Sequence, residues 1–240
     1  MAASQPLAAE TDLEGGFDRI AKGYDFLTQM NPGYRKHLRW SARRLCLPPG
    51  ARVLDLCCGS GLSTQALLDV YPDLDHVVGL DASAGMLARA ARRLPKGKVT
   101  LVHGDATDPA AAGVEGPFDG VMMAYGIRNV PDRDACLENI LALLRPGGRV
   151  AFHEYSVADS VVQKALWNAV CFGVIAPSGI ALTGVVDIWE YLRRSVNEFD
   201  GVKAFCARLE RAGFVGVEER PTDGWQAHIL HTFIGRRPAE

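Results

Sequence analysis

The residues of this chain that could do chemistry stand at the ends of short apolar runs. Asp55 lies inside the run Val53-Leu54-Asp55-Leu56, which passes through Cys57-Cys58 into Gly59-Ser60-Gly61. A strand that turns through glycines into a helix lets a ligand approach the backbone beside a helix N-terminus. A dinucleotide site would continue with a third glycine or alanine, but Thr64 stands there, and a pyrophosphate disfavours a carboxylate such as Asp55 nearby. Two more acids follow in the same rhythm. Asp81 ends His76-Val77-Val78-Gly79-Leu80, 20 residues beyond Gly61, and Asp105 follows Val99 to His103 and Gly104. Acids at successive strand ends converge on one crevice at the carboxyl edge of a sheet.

That set has a specific chemical complement. Asp55 suits a cationic amine, Asp81 can accept both hydroxyls of a ribose, and Asp105 can accept from the exocyclic amine of adenine. S-adenosylmethionine carries all three groups. Each acid alone would serve equally as a helix cap or turn residue; their order with Gly59-Ser60-Gly61 is what favours the ligand.

The elements that must position these residues alternate. After Pro48-Pro49-Gly50, strands are predicted at Val53–Leu56, His76–Leu80, Val99–His103, Phe118–Ala124 and Arg149–Tyr155, with helices at Leu62–Val70, from Ser83 to about Leu94, and at Pro131–Leu144. This pattern predicts an α/β fold with a doubly wound parallel sheet. A further helix over Val202–Ala212 stops at Gly213, and the runs Phe214–Glu219 and His228–Ile234 suit an antiparallel hairpin at the sheet edge. Before the sheet, Phe17, Ile20, Tyr24 and Leu27 share one helical face, and a basic segment carries Leu38, Leu45 and Leu47. Residues 1–16 read as a polar leader and 17–240 as one domain: N-terminal helices over 17–47, a cofactor-binding core over 52–156, lid helices over about 157–200, and the last helix and edge strands over 201–236.

Composition narrows the function. The 240 residues are 48% hydrophobic and 22% charged, with 26 basic and 28 acidic side chains, so the chain is globular and gathers no field for nucleic acid. Six cysteines without a C-x-x-C pair predict reduced thiols and a cytoplasmic protein. No His/Cys/Asp cluster has metal-ligand spacing, so no metal is expected. The 22 residues from Ala165 to Val186 are uncharged, but Pro177, Ser178 and glycines interrupt them, which favours a buried lid or a surface meeting an apolar substrate over a membrane span. Trp167, Phe172 and Ile175 are placed to line such a lid's channel; core packing or a homodimer interface is the plainer reading. With no basic cluster near the lid, a peripheral membrane contact is the most that is expected.

The block Val53–Tyr155 resembles class I S-adenosylmethionine-dependent methyltransferases. The chain from about 17 to 235 is more narrowly similar to the ubiquinone/menaquinone biosynthesis C-methyltransferase family, through Phe17-Asp18-Arg19-Ile20-Ala21-Lys22-Gly23-Tyr24-Asp25, Tyr125-Gly126-Ile127-Arg128-Asn129-Val130, Leu144-Arg145-Pro146-Gly147-Gly148-Arg149, His153-Glu154-Tyr155-Ser156 and Trp189-Glu190-Tyr191-Leu192-Arg193-Arg194-Ser195-Val196. The resemblance implies a seven-stranded, mostly parallel sheet with an antiparallel last strand. It also implies cofactor contacts at Ser60, Asp81, Asp105 and Ala106, and methylation of a ring carbon of a prenylated hydroquinone. The chain departs from the family pattern at Cys58, at Ala124-Tyr125, and in its ending, Asp223-Gly224-Trp225-Gln226-Ala227-His228-Ile229-Leu230-His231. Another aromatic or quinol acceptor stays open, as do an O- or N-methyltransferase of a small aromatic metabolite and a protein that binds the cofactor without turnover.

Carbon methylation beside a phenol needs the hydroxyl ionised and the ring carbon aligned. Arg128, which keeps its proton at neutral pH, is assigned phenolate stabilisation or orientation of a water, the alternative being a structural tie to a carboxylate. Asn129 supplies directional hydrogen bonds. His153 is the first choice of general base, with His228 and His231 as others. Tyr24 is a candidate contact to the cofactor carboxylate. The cofactor set is therefore Tyr24, Asp55, Gly59, Ser60, Gly61, Asp81, Asp105 and Ala106.

Overall fold

The computed structural model describes Gly15, Gly16, Thr28 and residues 31–240. The predicted helix through Phe17, Ile20 and Leu27, with the candidate contact Tyr24, lies outside the described residues.

Seven strands form one sheet: β1 (Arg52–Leu56), β2 (His76–Asp81), β3 (Val99–His103), β4 (Phe118–Ala124), β5 (Leu144–Tyr155), β6 (Val215–Pro221) and β7 (Leu230–Arg236), in the order β3-β2-β1-β4-β5-β7-β6. The first five are mutually parallel, and β7 runs antiparallel to both β5 and β6. The longer helices from residue 34 onward are α1 (Tyr34–Arg44), α2 (Leu62–Val70), α3 (Ala84–Arg93), α4 (Arg133–Leu143), α5 (Val161–Thr183), α6 (Asp187–Glu198) and α7 (Val202–Arg211). Short polar side chains start several of them: Ser83 Oγ accepts from the Met86 N–H at 3.1 Å, and Asp132 Oδ1 from the Ala135 N–H at 3.0 Å.

Period-two alternation divides the core. On β1, Val53 packs with α1 and α2, while Leu54 and Leu56 join the opposite cluster around Phe118, Leu137, Phe152 and Phe205. Both layers are apolar because the central parallel strands are covered on both faces. The chain winds outward from β1 to β3 and then restarts on the other side of β1 at β4. The crevice beyond the carboxyl ends of β1 and β4 is thus the topological switch point.

The two tail runs form the expected antiparallel hairpin at the sheet edge, with β7 between β5 and β6 and Phe152 opposite Phe233. Six of the seven β7 residues are buried whereas β6 is largely exposed, so the more apolar strand takes the interior position. In the uncharged segment, Pro177 and Ser178 do not break the helix. α5 runs through them by widening into a π-helical turn at Cys171–Ile175, which accommodates the missing N–H and the ring of the proline that follows.

Candidate active site

A cavity of about 600 Å³ fills the switch point. Its sheet side presents Gly59, Asp81, Asp105 and Ala106; its lid side presents Ile175, Ile188, Trp189 and Leu192 from α5 and α6; Tyr125, Arg128 and Asn129 lie on the loop after β4.

The turn after β1 is built for close approach. Cys57 leaves the strand in a left-handed conformation (φ +55°), as does Tyr125 after β4 (φ +59°), and each such non-glycine residue costs about 1–3 kcal/mol. Both line the cavity. Gly59 is also left-handed, and a Cβ there would meet no atom within 4 Å, so this glycine fronts open space. Gly61 does different work. A Cβ on it would stand 2.9 Å from Leu94 Cδ1, so it lets α2 begin against α3 and does not line the cavity. Ser60 is buried, with Arg93 Nη1 donating to its carbonyl and, at 2.9 Å, to its hydroxyl. It faces a smaller hollow of about 30 Å³ shared with Tyr34, Cys58 and Ser63.

The acids are held by backbone donors. Asp81 accepts from the Gly59 N–H at 2.8 Å and the Ser83 N–H at 2.9 Å, one on each oxygen. Asp105 accepts from the Thr107 N–H at 2.8 Å and is exposed to the cavity mouth. Each carboxylate retains lone pairs for hydroxyl or amine donors. Asp55 is placed otherwise. It lies fully buried behind the turn, its Oδ2 accepting from Ser63 at 2.7 Å and Thr64 at 2.6 Å, while Oδ1 has no partner among the described residues. It is absent from the cavity wall. Burial pushes its pKa up to about 7, the two hydroxyls holding it lower than burial alone would.

Arg128 lines the cavity and is buried. Its Nη1 donates to Glu154 Oε1 at 2.8 Å and its Nε to Ser195 Oγ at 2.9 Å, so α6 and β5 both fix the guanidinium. Burial works against its charge, but the Glu154 carboxylate outweighs that and raises its pKa. Glu154 is fully buried; its Oε1 also accepts from the Tyr155 N–H at 2.9 Å, and Oε2 has no partner among the described residues. Asn129 donates to the Tyr125 carbonyl at 3.2 Å and accepts from the Tyr191 hydroxyl at 3.1 Å. Burial raises the Tyr191 pKa, which keeps that phenol a donor.

His153 is not positioned as a base. Alternation along β5 sends Glu154 toward Arg128 and His153 to the other face, under α1. Its side chain is fully buried, its Nδ1 pairs with Ser41 Oγ at 2.8 Å and its Nε2 with Tyr125 Oη at 3.2 Å. Burial drives its pKa down to about 3, so the imidazole stays neutral. It reaches the cavity only through Tyr125, whose ring it meets edge-on at 5.0 Å. The other two histidines stand elsewhere: His228 is exposed, and His231 pairs with Glu219 at 2.6 Å, neither on the cavity wall. Of the three lid residues, only Ile175 lines the cavity. Trp167 is core, 4.7 Å from the Tyr155 ring, and Phe172 points outward, 63% exposed.

Sequence reasoning missed an aromatic wall. Tyr125 stacks on Tyr34 at 5.4 Å and leans on Tyr155 at 5.2 Å. The unusual ending braces it. Asp223 bridges Lys36 and His37, both at 2.7 Å, and buried Gln226 accepts from His37 Nδ1 through its Oε1 at 3.1 Å while its Nε2 donates to the Tyr155 hydroxyl at 3.0 Å. Trp225 of the same segment lines the cavity. The two cues available were the tyrosine at 125 and the polar run 223–226; nothing in their spacing revealed a connection.

Among the described residues no group of three or more His, Cys, Asp or Glu side chains is arranged to hold a metal ion. All six cysteines are free thiols, and burial raises those of Cys57 and Cys58 well above the ordinary range.

Residues 7–232 match the profile of the ubiE/COQ5 methyltransferase family. A demethylmenaquinone methyltransferase of Bacillus licheniformis is 31% identical over 221 residues, covering 90% of this chain and 93% of that protein. A ubiquinone/menaquinone biosynthesis C-methyltransferase of Rhizobium johnstonii is 32% identical, covering 84% of this chain and 80% of the relative. In fold, the chain resembles the solved structure of Haemonchus contortus phosphoethanolamine N-methyltransferase 2 in complex with S-adenosyl-L-methionine: TM-score 0.68, 18% identity, 92% of this chain and 57% of that one.

Proposed function

Because this chain belongs to the ubiE/COQ5 methyltransferase family and is an S-adenosylmethionine-dependent methyltransferase, we propose that it methylates a ring carbon of a prenylated hydroquinone, of the demethylmenaquinol kind. The observation that carries the acceptor class is the division of the cavity: fixed acids on the sheet side, an uncharged apolar lid opposite, and one buried, permanently charged guanidinium between them.

The residues present fit the cofactor. Asp81 would receive the ribose hydroxyls and Asp105 the adenine amine, with Ala106 beside it. Gly59 leaves room for close approach, and Ser60 borders the smaller hollow beyond the turn. Asp55, with Oδ1 unpartnered and its pKa raised to about 7, offers a carboxyl behind the turn whose ionised form a cationic amino group would favour, so its part is electrostatic support and not wall contact. When bound, S-adenosylmethionine supplies an electrophilic methyl group.

The chain's own residues must then align a carbon nucleophile and favour its phenolate. Arg128 offers positive charge and N–H donors from a fixed, buried position, where such a charge counts for more than it would in water. Asn129, held by Tyr191 and the Tyr125 carbonyl, orients the ring oxygen. The aromatic wall of Tyr34, Tyr125 and Tyr155 offers a flat face for the ring to stack on.

The deciding experiment transfers labelled methyl from S-adenosylmethionine to reduced demethylmenaquinone and demethyl-ubiquinone analogues with short and long tails, with products read by mass spectrometry. The expected product carries label on the ring carbon. Label on oxygen or nitrogen, or none on any quinol while the cofactor binds, overturns the acceptor assignment. Asp81→Ala should weaken cofactor binding at least about 100-fold, since two charge-assisted hydrogen bonds are lost; binding within threefold of the wild type in calorimetry overturns the placement of the ribose.

A further inference from the structure

The lid helix has two apolar faces, and the cavity accounts for one of them. α5 spans 23 residues, and its most apolar 18-residue stretch has a mean hydropathy of 1.7, yet only 17% of that stretch is buried. Val161, Val162, Phe172 and Leu182 point outward, from 47% to 85% exposed. Every exposed position between 165 and 186 carries an apolar side chain, a glycine or a proline. A run of exposed apolar side chains such as this marks an interaction site.

The cavity wall reaches this same helix. Leu166 and Val174 line the cavity and are also 44% and 59% exposed. They are two helical turns apart, about 12 Å along the axis. A hydrocarbon chain leaving the cavity between them would emerge beside the outer face of α5. A second copy of the protein seated there would cover that exit, whereas a lipid surface would be continuous with it.

The flanking charges define the kind of surface. Lys164, Arg193 and Arg194 are balanced by Asp159, Asp187 and Glu190. Arg193 is tied to Glu190 and lies over the Phe172 ring at 5.0 Å. The rim therefore carries no excess positive charge to seek anionic headgroups.

We propose that the outer face of α5 docks on the surface of a lipid bilayer, held by apolar burial and not by charge, so that a lipid-soluble acceptor passes between membrane and cavity past Leu166 and Val174. The proposal rests on the prenylated-acceptor reading for its purpose, but its test does not. The whole protein is sedimented with vesicles of phosphatidylcholine alone and of phosphatidylcholine with phosphatidylglycerol, without acceptor or cofactor. The expected result is binding to both, with partition changing less than about threefold between low salt and about 0.5 M NaCl. Val162→Glu and Phe172→Glu, neither of which lines the cavity, should each lower partition at least about tenfold. They should leave methylation of a short-tailed acceptor unchanged and slow that of a long-tailed acceptor presented in vesicles. Failure of the wild type to bind neutral vesicles overturns the proposal. So does unchanged partition in both variants, or a stable dimer in solution that the same substitutions dissociate. Vesicle binding with no quinol methylated would leave the docking surface standing and remove the acceptor assignment instead.

Discussion

Replacing Arg128 by methionine tests whether its charge serves catalysis or only holds the loop, because the structure lets the two roles be separated. Glu154 is fully buried, and in Arg128→Met its carboxylate would keep one donor, the Tyr155 N–H, with Oε2 still unpartnered. Stranding one member of a buried pair costs about 3–5 kcal/mol. For a chain of this size that is a fall of about 6–20 °C in melting temperature, a large part of a typical stability of about 5–15 kcal/mol. The double variant Arg128→Met/Glu154→Gln removes both charges while keeping an acceptor for the Tyr155 N–H, so stability should return to within about 2 kcal/mol of the wild type. Turnover should not return. A guanidinium aimed at a developing phenolate is worth about 10²–10³ in rate, as for other preorganised oxyanion donors. Urea unfolding measures the first quantity, and methyl transfer at saturating cofactor measures the second. A double variant with recovered stability and near-wild-type turnover would refute the catalytic assignment and leave Arg128 a structural tie.

Two further expectations concern buried titrating groups. The raised pKa of Asp55, about 7 against the ordinary 3.8, means that between those values the folded chain keeps a proton the unfolded chain has released. This group's contribution therefore declines as pH rises from about 4 to about 7, by about 4 kcal/mol at most. Asp55→Asn keeps an acceptor for Ser63 and Thr64, so without cofactor it should be the more stable protein at pH 8 and match the wild type at pH 4. A less stable variant at pH 8 in urea unfolding would contradict this. His153, held neutral by burial with a pKa of about 3, works in the opposite direction, losing stability as pH falls below about 6.5. As a positioning residue behind Tyr125 it should tolerate His153→Gln with less than about a tenfold loss of kcat and an unchanged pH–rate profile. A loss of about 10²–10⁴, the range for removing a general base, would restore it to the chemistry.

Particular residues show which inferences travel along the chain and which do not. The strand bounds of β1 to β4 and the glycine turn were legible because they depend on neighbours: apolar alternation, Gly59 beside Gly61, Ser83 three residues before the N–H it caps. The places of Asp81 and Asp105 at the sheet edge were legible for the same reason, Asp81 closing β2 and Asp105 standing two residues beyond β3. His153 was misread because its type and its strand-end place are both ordinary for a base. What disqualifies it is the face it occupies and the Ser41 hydroxyl that α1 brings from 112 positions away. The ending was seen to be unusual, but its partners Lys36 and His37 lie 187 and 186 positions upstream.

The sequence by itself therefore determined the alternating α/β architecture, the approach to the backbone at Gly59 and the convergence of acids on one sheet edge. Each follows from backbone conformation and side-chain periodicity within a few residues. Tertiary structure alone decided that Glu154 and not His153 accompanies Arg128, that Asp55 supports the turn from behind, and that Tyr34, Tyr125 and Tyr155 form one wall. Those outcomes depend on which strand faces which helix and on how deeply each charge is desolvated. Burial shifts a pKa and orphans an oxygen only after distant segments have closed over it.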